Sequence, residues 1–386
     1  MNKEFFSLKL SEIADVVAGQ SPESIFYSNI EGVPFLQGNR TFGTLYPSID
    51  TYTSKVTKLA KKDEVLMSVR APVGDLNFAP CDLCIGRGLA SIKAKNGNNK
   101  FIYYALKYNI NNLLRQGSGT TFDSVNKDVI NDFELIIPKD ITDRDKVTKV
   151  LSALDSKIEL NNRINAELEA MAKTLYDYWF VQFEFPDKNG KPYKSSGGTL
   201  VWNEELKREI PEFWEVATID SYAEVKKGEL ITAKDAKEGS IKVIAAGIDF
   251  SYLHSTPNRL KNTITISGSG ANAGYINFWR EPIFASDCIT VRGKTDTETL
   301  ILLQYLNYIQ PHILNQATGS AQPHVYPSDI KVLNYVVPPA QLIENYGNAI
   351  ISMNEKIGNN LKENQKLTEL RDWLLPMLMN GQVKVN

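Results

Sequence analysis

Two long stretches of this 386-residue chain repeat an apolar seam every seven residues, and the second lies 199 positions after the first. Written as a heptad, the first has Leu151, Ile158, Asn165, Ala172 and Trp179 at a, and Leu154, Asn161, Leu168, Leu175 and Gln182 at d. The second has Ile350, Ile357, Asn364, Arg371 and Leu378 at a, and Met353, Asn360, Leu367 and Leu374 at d. This pattern predicts two long helices, the first over about 151–182, that pack on each other as a coiled coil. Asn161 and Asn165 map onto Asn360 and Asn364, and a buried Asn costs stability while fixing register and partner. The expected register residues are Leu154, Ile158, Asn161, Asn165, Leu168 and Leu175 against Met353, Ile357, Asn360, Asn364, Leu367 and Leu374. Two unrelated surface helices would not share this spacing.

The repeat extends to the rest of the chain. Leu10, Ala14, Val16 and Gly19 correspond to Ile219, Ala223, Val225 and Gly228 at a spacing of 209. The register then settles near 200, matching Leu66, Ala71, Gly74 and Asn77 with Ile266, Ala271, Gly274 and Asn277, and Ile85 and Ile92 with Phe284 and Val291. The chain therefore reads as one unit written twice, each a mixed domain followed by a long helix. β-branched and aromatic runs predict strands at 64–69, 89–92, 262–266 and 288–291, and helices are predicted at 100–114 and 297–314. Pro138 and Pro338 close the globular parts. The expected divisions are a first domain at 1–145, a helix at 146–183, a Pro-, Gly- and Ser-rich linker at 184–204, a second domain at 205–345, a helix at 346–380 and a tail at 381–386. Antiparallel helices would bring the termini close and relate the two domains by a pseudo-twofold axis. A helix of roughly 32 residues is about 48 Å long, on the order of 14 base pairs of B-DNA. Such a rod would space two reading heads, and adding a heptad to both helices would change the spacing without changing what either head reads.

Composition narrows the function classes. The net charge is -2, so any contact with nucleic acid must come from local clusters or from a partner. The odd count of Cys81, Cys84 and Cys288 does not suit a disulfide framework, and although Cys81 and Cys84 form a C-x-x-C, no second pair and no nearby His completes a zinc site, so they read as packing residues. No leader-like segment and no run long enough for a membrane span is found in the sequence, so a cytoplasmic protein with no membrane partner is expected.

The segment Leu154-Asp155-Ser156-Lys157-Ile158-Glu159, with Asn161, Asn165 and then Trp179-Phe180-Val181 and Phe185-Pro186, resembles the central helical region of the specificity subunits of type I restriction-modification systems. Pro192-Tyr193-Lys194-Ser195-Ser196-Gly197-Gly198, with Ile210-Pro211 and Trp214, resembles that family's approach to its second domain, and Leu370-Arg371 through Leu374-Leu375-Pro376 to Gly381 its distal region. The resemblance implies an α+β chain with two similar mixed α/β target recognition domains, joined by two long helices in an antiparallel coiled coil. It implies a sequence-specific subunit that reads an asymmetric two-part site in double-stranded DNA. It further implies partner modification subunits, expected to be two, which methylate adenine N6 with S-adenosylmethionine, and restriction subunits that use ATP and Mg. This chain itself is expected to bind no cofactor and no metal and to catalyse nothing.

The residues themselves agree with that expectation. Ser267-Gly268-Ser269-Gly270-Ala271-Asn272-Ala273-Gly274 is Gly-rich, but its third Gly comes one residue late for a dinucleotide loop and a strand follows it. A turn that offers N–H groups, Ser269 and Asn272 to DNA fits better. No adenine methyltransferase motif, P-loop or nuclease cluster occurs, and His254, His312 and His324 lack an evident catalytic partner. The candidate DNA contacts are Gln20, Arg40, Arg70, Arg87, Gln116, Ser118, Thr120 and Thr121 in the first half. In the second they are Ser269, Asn272, Arg280, Arg292, Gln316, Ser320 and Gln322. Gln pairs with adenine and Arg with guanine, while hydroxyls serve phosphates or base edges. A solvated surface role stands beside contact for each Arg. The alternative function is a non-catalytic protein-protein scaffold with two repeated binding domains, which the low positive charge favours. A self-sufficient enzyme ranks last.

Overall fold

Short apolar runs buried on both faces shape each half of the chain. The computed structural model describes residues 5–116, 124–317 and 323–385, with the side chains of all of these except 114–116 and 316–317. Two compact units result, one of residues 1–163 with 360–386 and the other of residues 164–359.

In the first unit an antiparallel sheet runs in the order Ala14–Ala18, Leu89–Ala94, Val65–Ser68, Leu76–Phe78. Val16, Ile92, Val65 and Met67 join Phe101, Tyr104 and Leu106 in one core. Leu66 and Leu89 point the other way, into a second cluster with Leu36, Leu83 and Ile85. With both faces covered, Val65–Ser68 is buried at every position, which is why it reads as a continuous apolar run. Helices α1 (Leu10–Ile13), α2 (Asn99–Gln116) and α3 (Lys127–Asp132) complete the domain. The Asn126 side chain caps α3 by accepting from the Val129 N–H at 2.9 Å.

The second unit repeats this plan, with sheet order Ala223–Lys227, Cys288–Gly293, Thr263–Ser267, Ile276–Trp279. Helix α5 (Ile219–Tyr222) corresponds to α1, α6 (Asp296–Ala317) to α2 and α7 (Pro327–Lys331) to α3. Here the face away from α6 is more polar. Thr265 Oγ1 accepts from Trp279 Nε1 at 2.8 Å, and Arg259 Nε donates to Thr290 Oγ1 at 3.0 Å. The central strands Val65–Ser68 and Thr263–Ser267 match at a spacing of 199, since Ser68 and Ser267 both end them and each carbonyl receives the N–H of the Gly at the far end of the loop, Gly74 or Gly274. Leu66 therefore corresponds to Thr265 and not to Ile266, because loop 268–274 is one residue longer than its partner.

Helix α4 (Ile141–Tyr176) begins ten residues earlier than its heptad pattern, where the Asp140 carboxylate receives the Thr142 N–H at 2.8 Å. That bond holds the Asp140 carboxyl below its usual range. The helix gives way at Asp177–Val181 to a π turn that buries Phe180 against Tyr346 and Trp214. Helix α8 (Ala340–Met379) likewise starts just after Pro339. Within the first unit the two long helices run antiparallel. Asn161 Nδ2 donates to Asn364 Oδ1 at 2.9 Å and to Glu363 Oε2 at 2.8 Å, while Asn364 Nδ2 donates to Asn162 Oδ1 at 2.7 Å. Asn161, Ile158, Asn165, Ile357 and Asn360 are buried. Leu154, Leu168, Leu175, Met353, Asn364, Leu367 and Leu374 are half-buried, so the a side of the seam lies deeper than the d side. One heptad outsider is more deeply buried than these leucines. Asp155 takes the Tyr104 hydroxyl at 2.6 Å and the Arg371 guanidinium at 2.8 Å, joining α2, α4 and α8.

The segment 184–204, read from composition as a linker, packs within the second unit. Phe185 is buried between Tyr193 and Trp214 with ring centroids 4.6 and 5.2 Å away, and Leu200–Asn203 pairs with Arg208–Pro211 as a hairpin. At the other end of the chain Gly381 lies against the Phe5 ring.

Candidate nucleic-acid interface

In the first unit the strands Ala14–Ala18, Val33–Leu36, Val65–Ser68 and Leu83–Ile85 all end in one place, and backbone bonds knit the loops that follow. The Gly19 N–H donates to Leu89 O, the Gln20 N–H to Ile85 O and the Gly86 N–H to Leu36 O, at 2.8 to 2.9 Å. The Val69 N–H donates to Gly88 O at 2.8 Å and the Gly88 N–H to Gln37 O at 3.0 Å. Asn39 Nδ2 adds a bond of 2.6 Å to Asp75.

The second unit uses the same bonds. The Gly228 N–H donates to Cys288 O at 2.8 Å, the Glu229 N–H to Ala285 O at 2.9 Å and the Ser286 N–H to Ile244 O at 2.7 Å. A Cβ on Gly19 or Gly228 would collide with the carbonyl oxygen of Gly86 or Ser286, so both turns require glycine for close approach. These bonds also correct one match made from sequence, since Ile85 corresponds to Ala285 and not to Phe284. The one-residue difference lies in the next turn, where Arg87-Gly88 stands opposite Asp287 alone. Asp287 was missed because a gap there leaves no trace in apolar spacing. Only the paired strand registers, Leu36 on Ile85 and Ile244 on Ala285, locate it.

The predicted contact residues divide into several groups. Gln20, Arg70 and Arg87 are exposed on the loop cluster of the first unit, and among the described residues neither arginine meets a carboxylate within 4 Å. Arg40 is also exposed there, but it pairs with Asp50 and holds that carboxyl below its usual range. Ser269 and Asn272 sit on the equivalent cluster of the second unit, where Ser269 Oγ donates to Asp287 Oδ2 at 2.9 Å.

Arg280 and Arg292 lie elsewhere. The Arg280 side chain is engaged with the long helices, with Nε on Asn354 at 2.8 Å, Nη2 on Glu169 at 3.2 Å and the guanidinium over the Phe278 ring. Asn354 is the repeat counterpart of Asp155, so each unit grips its helix at the same heptad position. Arg292 pairs with Asp296 at 2.7 Å on the polar face of the sheet. Gln116 and Gln316 lie in the last turns of α2 and α6, while Ser118, Thr120, Thr121, Ser320 and Gln322 lie outside the described residues.

The arrangement offers exposed guanidinium, amide, hydroxyl and carboxylate groups on loops braced by a rigid backbone, which is what base reading needs. Among the described residues no group of His, Cys, Asp and Glu could hold a metal ion, and no helix is long and apolar enough to cross a membrane.

Known proteins share this organisation. The sequence pattern described as the type I restriction modification DNA specificity domain matches residues 2–170 and again 211–370. The chain is 38% identical over 163 residues to the MjaX specificity subunit of Methanocaldococcus jannaschii, a match covering 42% of this chain and 38% of that protein's length. It is 24% identical over 417 residues to the MjaIX specificity subunit of the same organism, covering 99% of this chain and 94% of the relative. The crystal structure of a type I restriction-modification system S subunit from M. genitalium shares the fold, with a TM-score of 0.62 at 19% identity over 98% of this chain and 97% of the other. With the specificity-domain pattern present in both halves, the chain belongs to the family of type I restriction-modification specificity subunits.

Proposed function

We propose that the two loop clusters read the two halves of an asymmetric, two-part site in double-stranded DNA, separated by a fixed gap, and that the chain thereby positions catalytic partners on it. One observation carries this reading: the two clusters share a backbone hydrogen-bond skeleton but carry different side chains. A skeleton held constant while its exposed groups differ is the arrangement expected of two reading heads with different targets. The chain supplies recognition and not chemistry. Methyl transfer from S-adenosylmethionine belongs to modification subunits, two of them in this reading, and ATP- and Mg-dependent cleavage to restriction subunits. The net charge of -2 fits a subunit that binds DNA together with partners that add positive surface.

The test is retention of random duplex DNA by the chain, alone and with the methyltransferase subunit encoded beside it, followed by sequencing. Enrichment of a two-part asymmetric motif supports the proposal. Failure to enrich any sequence, even with the partner present, refutes it and favours the protein-protein scaffold.

A further inference from the structure

Superposing the two hydrogen-bond skeletons exposes a reversal of charge. Val69 O accepts the Val125 N–H at 2.9 Å, Gly268 O accepts the Val325 N–H at 3.0 Å, and the next residues, Arg70 and Ser269, bridge to Ser124 and His324. Arg70 and Ser269 are therefore equivalent. Gly86 and Ser286 make the same bond to the neighbouring strand, so Asp287 occupies the turn that Arg87-Gly88 fills in the first cluster. Where the first cluster has two exposed cations, the second has a hydroxyl hydrogen-bonded to a carboxylate.

We infer that the first cluster reads guanine through Arg70 and Arg87, and that the second reads a base amino group, adenine N6 or cytosine N4, through Asp287. This rests on the DNA-reading function proposed above. The Val69 N–H to Gly88 O bond ties the two arginine-bearing loops side by side, and guanidinium fits the O6 and N7 acceptors of guanine bidentately. Asp287 acts in the opposite sense. Its Oδ2 takes the Ser269 hydroxyl, which orients the carboxylate and leaves Oδ1 as its remaining acceptor. Among the described residues no Lys, Arg or His stands within ion-pair distance of Asp287. A lone carboxylate brought near phosphates is repelled unless a base amino group meets it, so the group discriminates strongly against the acceptor-only positions of guanine and thymine.

The experiment repeats the selection from random duplex DNA, using the full chain with its methyltransferase subunit, for wild type, Arg70→Ala, Arg87→Ala, Arg87→Lys and Asp287→Ala. Loss of the arginines is expected to relax a guanine in one half of the motif by on the order of 10- to 100-fold in preference, leaving the other half intact as a check on folding. Arg87→Lys keeps the charge but loses the fork, so it should relax the same guanine. Asp287→Ala should relax an adenine or a cytosine in the opposite half, and the base lost identifies which amino group is read. A wild-type motif that survives every variant unchanged overturns the inference while leaving DNA reading in place. Uniform weakening of both halves also overturns it, by reducing these residues to phosphate contacts. A wild type that enriches nothing refutes the proposed function itself.

Discussion

The buried ion pair between Asp155 and Arg371 makes the sharpest demand on stability. Their side chains are only 2% and 8% exposed, and the carboxylate also holds the Tyr104 hydroxyl. Removing one partner from such a pair strands a charge in a poorly solvated place and costs about 3–5 kcal/mol. Replacing both partners with apolar residues of similar size removes the stranded charge and costs much less. Arg371→Met should lower the unfolding free energy of the first unit by about 3 kcal/mol or more, and Asp155→Leu by less, because Asp372 still holds the guanidinium at 2.8 Å, while the double variant falls well short of the sum. Denaturant unfolding of the four chains, with hydrogen exchange to report each unit separately, gives the cycle directly. Loss of protection should be confined to α2 and the parts of α4 and α8 in the first unit. Burial and the adjacent Asp155 charge push the Tyr104 hydroxyl well above its usual range. It stays protonated in the folded state through the pH range where the unfolded side chain would ionise, so stability from this site falls as pH rises above 10. Single variants within 0.5 kcal/mol of wild type, or a strictly additive cycle, would refute the reasoning.

Other substitutions test other parts of the account. Gly228→Ala drives a methyl group into the Ser286 carbonyl, and should cost the second unit about 3 kcal/mol, seen as a lowered melting transition with the first unit unchanged. Asn161→Ala removes one donor from Asn364 and one from Glu363, which keeps Lys157 at 3.3 Å, and should cost about 1–3 kcal/mol; Asn161→Leu with Asn364→Leu should instead raise the melting temperature while loosening helix register, read by spin-label distances along α4 and α8. Burial pushes the Cys288 thiol up to about 12. In the native protein it should resist alkylation at pH 8 while the less buried Cys81 reacts, and its contribution to stability should be intact below pH 9 and lost between 9 and 12 as the unfolded thiol ionises. Arg280→Ala should leave the bound DNA motif unchanged while raising hydrogen exchange where the second unit meets its own helix segments, because its bonds go to Asn354 and Glu169.

How far the sequence could be read depended on whether a feature repeats in spacing or only in hydrogen bonding. The heptads and the 199-residue offset exposed the long helices and the doubled domain because burial imposes a period on residue choice. The contact between Asn161 and Asn364 followed from the same logic. Helix starts were misplaced, since α4 is opened by Asp140, a cap that lies outside any apolar pattern. Arg70 and Arg280 looked alike as surface arginines, yet one is exposed on a loop with no carboxylate within 4 Å among the described residues and the other is spent on Asn354 and Glu169, a difference that only tertiary packing creates. Asp287 was hidden for a related reason. Its role appears when two loops of unequal length are aligned through their backbone bonds, and no residue pattern marks it.

If the chain reads DNA as proposed, its two equivalent loop clusters both face the duplex. The most direct measurement places a single cysteine at Gln20 or at Glu229, in a Cys81→Ser background, attaches an iron-chelate cleaver and maps the cuts on one bound duplex. These two residues make the same bond in each skeleton, to Ile85 O and to Ala285 O. Cuts are expected to centre on one half-site from position 20 and on the other from position 229. Cuts at the same place from both, or none from either while the complex remains bound, would contradict it.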